Sequence, residues 1–153
     1  MKTVLLAVDD SKGAQATVDT FLKLFRCVRP ETVALLYVEK IEGRSLMDEM
    51  LGDAELATLR ESLAGTEVQA ALDRRARSVL DHYRKQLEDQ GVAGITPLIR
   101  QGHPSDEILK VAMDSGAELI IIGSRGKRMH TLLMGSVSRE IANRSEVPVL
   151  IAR

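Results

Sequence analysis

Residues Thr3 to Val38, TVLLAVDDSKGAQATVDTFLKLFRCVRPETVALLYV, decide the fold. Thr3 to Val8 is an unbroken apolar run closed by Asp9-Asp10-Ser11, the pattern of a strand buried on both faces that ends in a loop. Ala14, Val18, Phe21, Leu22 and Phe25 then recur at the spacing of one helix face. Thr32 to Val38 is a second buried strand. Strand, helix and strand at this spacing make a βαβ unit, whose strands are parallel and whose crossover is right-handed.

Outward from that unit the pattern repeats. A long helix is expected from about Thr66 to Gln90, with Val68, Leu72, Val79, Tyr83 and Leu87 facing the core and Gly91 as its stop. Ile95 to Arg100 is the third strand, and Pro97 inside it calls for a sheet edge because proline cannot donate to the ladder. Pro104, Asp106 and Glu107 open the next helix, Ile108, Leu109, Val111 and Ala112 give its apolar face, and Gly116 ends it. A strand at Glu118 to Ile122, a glycine-rich link, a helix from about Ser136 to Arg144 and a strand at Val147 to Ala152 complete the order βαβαβαβαβ. Between Glu39 and Gly65 the periodicity weakens into two short amphipathic pieces parted by Gly52, consistent with a lid, a dimer contact or a surface excursion.

The expectation is a single α/β domain over residues 1–153: a doubly wound five-stranded parallel sheet in the order 3-2-1-4-5 with helices on both faces. Strands 1 and 4 are then central neighbours whose crossovers leave to opposite sides. The crevice between their carboxyl ends is the switch point at which open α/β sheets bind ligands. Asp9 stands just past strand 1 and Gly123 just past strand 4. The segment GSRGKRMHTLLMGSVS, Gly123 to Ser138, supplies glycines and a helix start where free backbone amides can hold an anion. Arg125, Lys127 and Arg128 either neutralise phosphate or are solvated loop residues. A phosphate-bearing ligand is the first hypothesis.

Composition narrows the classes. With 44% hydrophobic and 28% charged residues and a formal net charge of -1, nothing drives the chain toward nucleic acid or an anionic membrane. Aromatics make up 3% and Trp is absent, so stacking platforms for single strands are missing as well. No apolar run approaches a membrane span and no signal peptide is evident, so a cytoplasmic setting is expected. Cys27, the one cysteine, reads as a small packing residue at the end of the first helix. His82, His103 and His130 show no metal spacing with one another or with Cys27, and His130 is either a loop residue or a phosphate contact. No histidine is placed to activate Ser11 or Ser136, and P-loop and dinucleotide fingerprints are absent, so turnover is not indicated. The acidic pair after strand 1 is similar to the metal corner of receiver domains, but the required Asp after strand 3 and Lys after strand 5 are missing.

Taken together, the AVDDS corner, GHPSDEI, AELIIIGSRG, LLMGSVSREI and the terminal VPVLIAR resemble the universal stress protein family over essentially the whole length. The resemblance implies a small cytoplasmic α/β protein that binds ATP, with or without Mg2+. Asp9 and the backbone near Ala7, Val8 and Val38 would hold the adenine, and Gly123 would lie near the ribose. Gly126, Gly135, Ser136, Val137 and Ser138 would hold the phosphates, with Arg125 beside them. The family's nucleotide binders carry G-x-x-G, nine residues, then G-[ST]; here the spacer Lys127 to Met134 has eight, and the order from Leu132 to Ser136 is kept. The apolar final strand, 147–152, invites pairing at a sheet edge, and the family resembles this in forming homodimers through it. A protein-interaction module without nucleotide, and a slow ATPase with magnesium at Asp9 or Asp10, are the rival readings.

Overall fold

The computed structural model describes residues 1–40, 66–124 and 134–153, together with Glu55 and Thr58. Strand β1 (Thr3–Val8), helix α1 (Lys12–Leu24), β2 (Thr32–Glu39), α2 (Glu67–Asp89), β3 (Ile95–Gln101), α3 (Pro104–Asp114), β4 (Leu119–Gly123), α4 (Ser136–Arg144) and β5 (Val149–Ala152) follow one another along the chain. The sheet order is β3-β2-β1-β4-β5 and every pairing is parallel. The weakly patterned segment between strand 2 and the long helix lies outside the described residues, apart from Glu39, Lys40, Glu55 and Thr58.

Alternation along the strands builds two cores. Val4, Leu6 and Val8 of β1 with Val33, Leu35 and Tyr37 of β2 face α1 and α2, meeting Val18 and Phe21 from the first and Leu80, Tyr83 and Leu87 from the second. Leu5, Ala7, Ala34, Leu36, Ile120 and Ile122 point the other way, onto Ile108, Val111 and Ala112 of α3 and Ile141 of α4. Strands covered on both faces need apolar residues at successive positions, which explains the unbroken runs in the sequence. Full burial of each such side chain contributes about 1.5–3 kcal/mol. The helices end as expected: at Gly116, φ is +61°, and the Ala117 amide donates to Ala112 O at 2.9 Å while the Gly116 amide donates to Met113 O at 3.1 Å. These are the paired bonds of a Schellman motif, which favours glycine.

Four expectations need correction. Val68 is 58% exposed, because the covered face of α2 is set by Ala76, Leu80, Tyr83 and Leu87, and Gln69 rather than Val68 continues that face into the first turn. Cys27 is exposed rather than packed, since α1 stops at Leu24 and the chain turns off the apolar stripe at Phe25. The fourth strand is Leu119–Gly123, one residue later at each end than read from the sequence. The fifth begins at Val149, not Val147; Pro148 has no amide to donate, though its carbonyl accepts from Ile120 N at 3.0 Å. Pro97 does lie on an edge strand, β3, opposite Leu35.

Candidate functional site

The carboxyl ends of β1 and β4 meet at the centre of the sheet. Ala7 pairs with Ile122 and Val8 with Tyr37, so Gly123 lies one step beyond the first pair and Asp9 and Val38 one step beyond the second. Ala7 and Val8 are buried, while Asp9, Val38 and Gly123 are half-buried. The register thus brings together the five residues expected on this side of the crevice.

The acidic corner is divided between two jobs. Asp9 Oδ1 accepts from Ser11 N at 2.8 Å, closing an Asx turn that aims the chain into α1. Asp10 pairs instead with Arg75 of α2. Burial, and then the charges of Asp9 and Asp19, push the Tyr83 phenol above its ordinary value, so the Asp9 carboxylate acts on the α1–α2 side of the sheet.

Gly123 has a structural role that the sequence did not reveal. A Cβ there would lie 2.5 Å from the carbonyl oxygen and 2.7 Å from the Cα of Gly13. Two glycines thus let the start of α1 rest directly on the end of β4. Gly13 O is further held by the Thr17 hydroxyl at 3.0 Å, and Thr17 is fully buried. A glycine in a helix's first turn is a sign of close backbone approach, and that was the available signal.

The start of α4 is fixed to the same strand end. Gly135, the N-cap, donates from its amide to Ser124 O at 2.8 Å, and Ser124 N donates to Ala152 O at 2.7 Å. The Ser138 hydroxyl, 2% exposed, donates to Gly135 O at 3.0 Å. That hydroxyl anchors the helix start and faces no solvent. The amides of Ser136, Val137 and Ser138 have no intrahelical acceptors, and the positive end of the helix dipole lies with them. Ser136 is exposed and Val137 half-buried. Arg125, Gly126 and the spacer from Lys127 through Leu133 lie outside the described residues.

Two charged clusters stand beside the crevice. His103 Nδ1 lies 2.8 Å from the Ser105 hydroxyl, and ligand atoms of His103, Asp106 and Glu140 lie within 4.8 Å of one another. Arg144 Nη1 reaches Asp106 and Glu140 at 2.7 Å each, so a cation already serves both carboxylates. At the end of β2, Glu39 is 2% exposed, a buried acid that the sequence reading passed over.

The family model described as "Universal stress protein family" matches residues 1–153. Universal stress protein MJ0577 of Methanocaldococcus jannaschii is 32% identical over 156 residues, spanning 99% of this chain and 94% of that protein. The solved structure of hypothetical protein MJ0577 superposes with a TM-score of 0.76 at 30% identity, covering 99% of this chain and 94% of that one. A universal stress protein in complex with cAMP shares the fold at a TM-score of 0.66 and 19% identity, over 99% of this chain and 96% of the other. So does the Archaeoglobus fulgidus protein in complex with dAMP, at 0.59 and 19%, over 100% and 98%. Among the described residues no helix is long and apolar enough to cross a membrane.

Proposed function

The chain belongs to the universal stress protein family, and from that premise we propose that it binds ATP or a related adenine nucleotide in the crevice between the carboxyl ends of β1 and β4. The observation that carries the reading is the convergence of two helix starts on that crevice. α1 rests on Gly123 through Gly13, and α4 hangs from Ser124 through the Gly135 amide. Both aim positive helix ends and first-turn amides at one place, which suits phosphate. Adenine nucleotides in two proteins of this fold support the ligand class.

In this reading the base lies along Ala7, Val8, Asp9 and Val38, the ribose near Gly123, and the phosphates against Gly126, Gly135 and the amides of Ser136, Val137 and Ser138, with Arg125 beside them. Mg2+ accompanies the phosphates. In this reading the nucleotide is a signal rather than a substrate turned over rapidly. The protein works in the cytoplasm as a homodimer paired through β5, whose free edge is apolar.

Calorimetry with ATP, AMP and cyclic AMP tests the site. Binding is expected in the wild-type protein, and Gly135→Val should abolish it without unfolding the domain, because φ -62° and ψ 157° at Gly135 suit any residue. Absence of heat at millimolar ATP, or unchanged affinity in the variant, overturns the reading.

A further inference from the structure

At the carboxyl ends of β2 and β3, one residue past Val38 and on the opposite face of the sheet, a buried carboxylate is left partly unmet. Glu39 follows Val33, Leu35 and Tyr37 on the strand face that packs against α2, where the pattern asks for an apolar side chain. It is 2% exposed. Its Oε2 accepts from Gln101 Nε2 at 2.8 Å and from Gln69 Nε2 at 3.2 Å, while Oε1 has no partner. Asp73 adds a second carboxylate, accepting from the same Gln69 amide at 3.0 Å.

The local architecture holds these four side chains together. Glu39 and Gln101 are direct neighbours in the parallel register, and Gln69 and Asp73 stand four residues apart on one face of α2. Burial first, and then the nearby Asp73, push the Glu39 carboxyl up against the Gln101 and Gln69 hydrogen bonds, and among the described residues no positive group opposes them. Burying charge without a counter-charge costs several kcal/mol per ion by general estimate, so such a pair calls for a cation.

We propose that Glu39, Asp73, Gln69 and Gln101 form a binding site for a hard divalent cation of the Ca2+ or Mg2+ class. All four side chains offer oxygen. The two glutamine amides point nitrogen at the carboxylates, and turning each about its last bond presents its carbonyl instead. A donor set of oxygens alone suits Ca2+ or Mg2+ and disfavours zinc, which prefers nitrogen and sulfur. The site joins the strand ends to α2 and is independent of the nucleotide reading.

Terbium luminescence in nucleotide-free protein tests it. Tb3+ stands in for Ca2+, and Tyr37, two residues from Glu39 on the same strand face, is the sensitiser; the chain has no Trp and 2 Tyr, so background is low. Saturable emission that Ca2+ displaces is expected, with affinity at least tenfold weaker in Glu39→Gln and in Asp73→Asn and unchanged in Asp106→Asn. Glu39→Gln is isosteric, and circular dichroism confirms that each variant folds. No saturable emission, or emission that survives both Glu39→Gln and Asp73→Asn, overturns the proposal. Emission lost in Asp9→Asn but kept in Glu39→Gln would put the ion at the corner after β1 and overturns it equally.

Discussion

Gly123→Ala separates two reasons for a glycine at the end of β4. If the residue served only the approach of a ligand, the unliganded protein would tolerate a methyl group. The structure says otherwise: the added Cβ would stand 2.5, 2.6 and 2.7 Å from the O, C and Cα of Gly13, where ordinary contact begins at 3.4 Å. The start of α1 must therefore retreat from β4 by about 1 Å, as judged from these separations. It cannot retreat freely, because Gly13 O is bonded to the buried Thr17 hydroxyl and Ser11 is tied to Asp9. Truncation elsewhere gives no relief, since the atoms struck are backbone. Overpacking of this kind costs about 1–3 kcal/mol. At roughly 2–4 °C per kcal/mol for a chain of this size, unfolding should come about 2–12 °C lower. Thermal unfolding of apo protein reads this directly, and calorimetry with ATP should show affinity reduced about tenfold, equivalent to ~1.4 kcal/mol. Wild-type stability of apo Gly123→Ala would refute the packing reading.

Gly94→Ala provides the contrast at the opposite end of the sheet: φ is +68° and the new Cβ would lie 2.1 Å from Glu31 O. Urea unfolding should show a loss of about 2 kcal/mol or more from strain and overlap, with nucleotide affinity of the folded fraction unchanged. Glu140 gives a pH signature. The Ser105 hydroxyl first lowers its carboxyl, burial opposes that, and Arg144 and His103 add to the lowering, so the carboxyl stays below its ordinary value. A lowered carboxyl contributes stability that is present above its unfolded value and is lost as pH falls through the folded one. Glu140→Gln should therefore cost at most about 1 kcal/mol at neutral pH, as expected for a part-exposed pair, and nothing in strong acid; a cost that grows in acid would contradict this.

The backbone plan was legible because buried parallel strands leave little choice of residue. TVLLAV, TVALLYV and LIII are apolar on both faces, and only a sheet covered on two sides requires that. Pro97 marked the edge by what it cannot donate. Val68 was misread because periodicity places an apolar stripe only approximately: Ala76, Leu80, Tyr83 and Leu87 set the covered face, and Gln69, not Val68, continues it to meet Glu39 of β2. Cys27 failed for a related reason, since its place depended on a helix end that pattern fixes poorly. At the crevice, Asp9 and Gly123 could be placed side by side because topology dictates where strand ends meet, whereas Val38 came only from the family resemblance. Gly13 and Ser124 were missed because their roles exist only between segments distant in sequence.

The buried polar residues show where this fold departs from its own local rules. Among the described residues, those with polar or charged side chains in the interior are Thr17, Glu39, Ser105, Ser124 and Ser138. Glu39 ends β2 and Ser124 follows β4, while Ser105 and Ser138 lie in the first turns of α3 and α4 and Thr17 in the early part of α1. All belong to the carboxyl edge of the sheet or to the helix starts beside it. A fold stabilised by apolar contact alone has no reason to concentrate hydroxyls and a carboxylate there, because each requires a partner or costs about 1–3 kcal/mol when left without one. Three of the hydroxyls have partners nearby: Thr17 holds Gly13, Ser138 holds Gly135, and Ser105 meets His103. Glu39 keeps one oxygen unmet. The hydroxyls of Thr17 and Ser138 fix the helix starts on which the proposed phosphate binding would depend, and the unmet carboxylate is the one the proposed cation would satisfy.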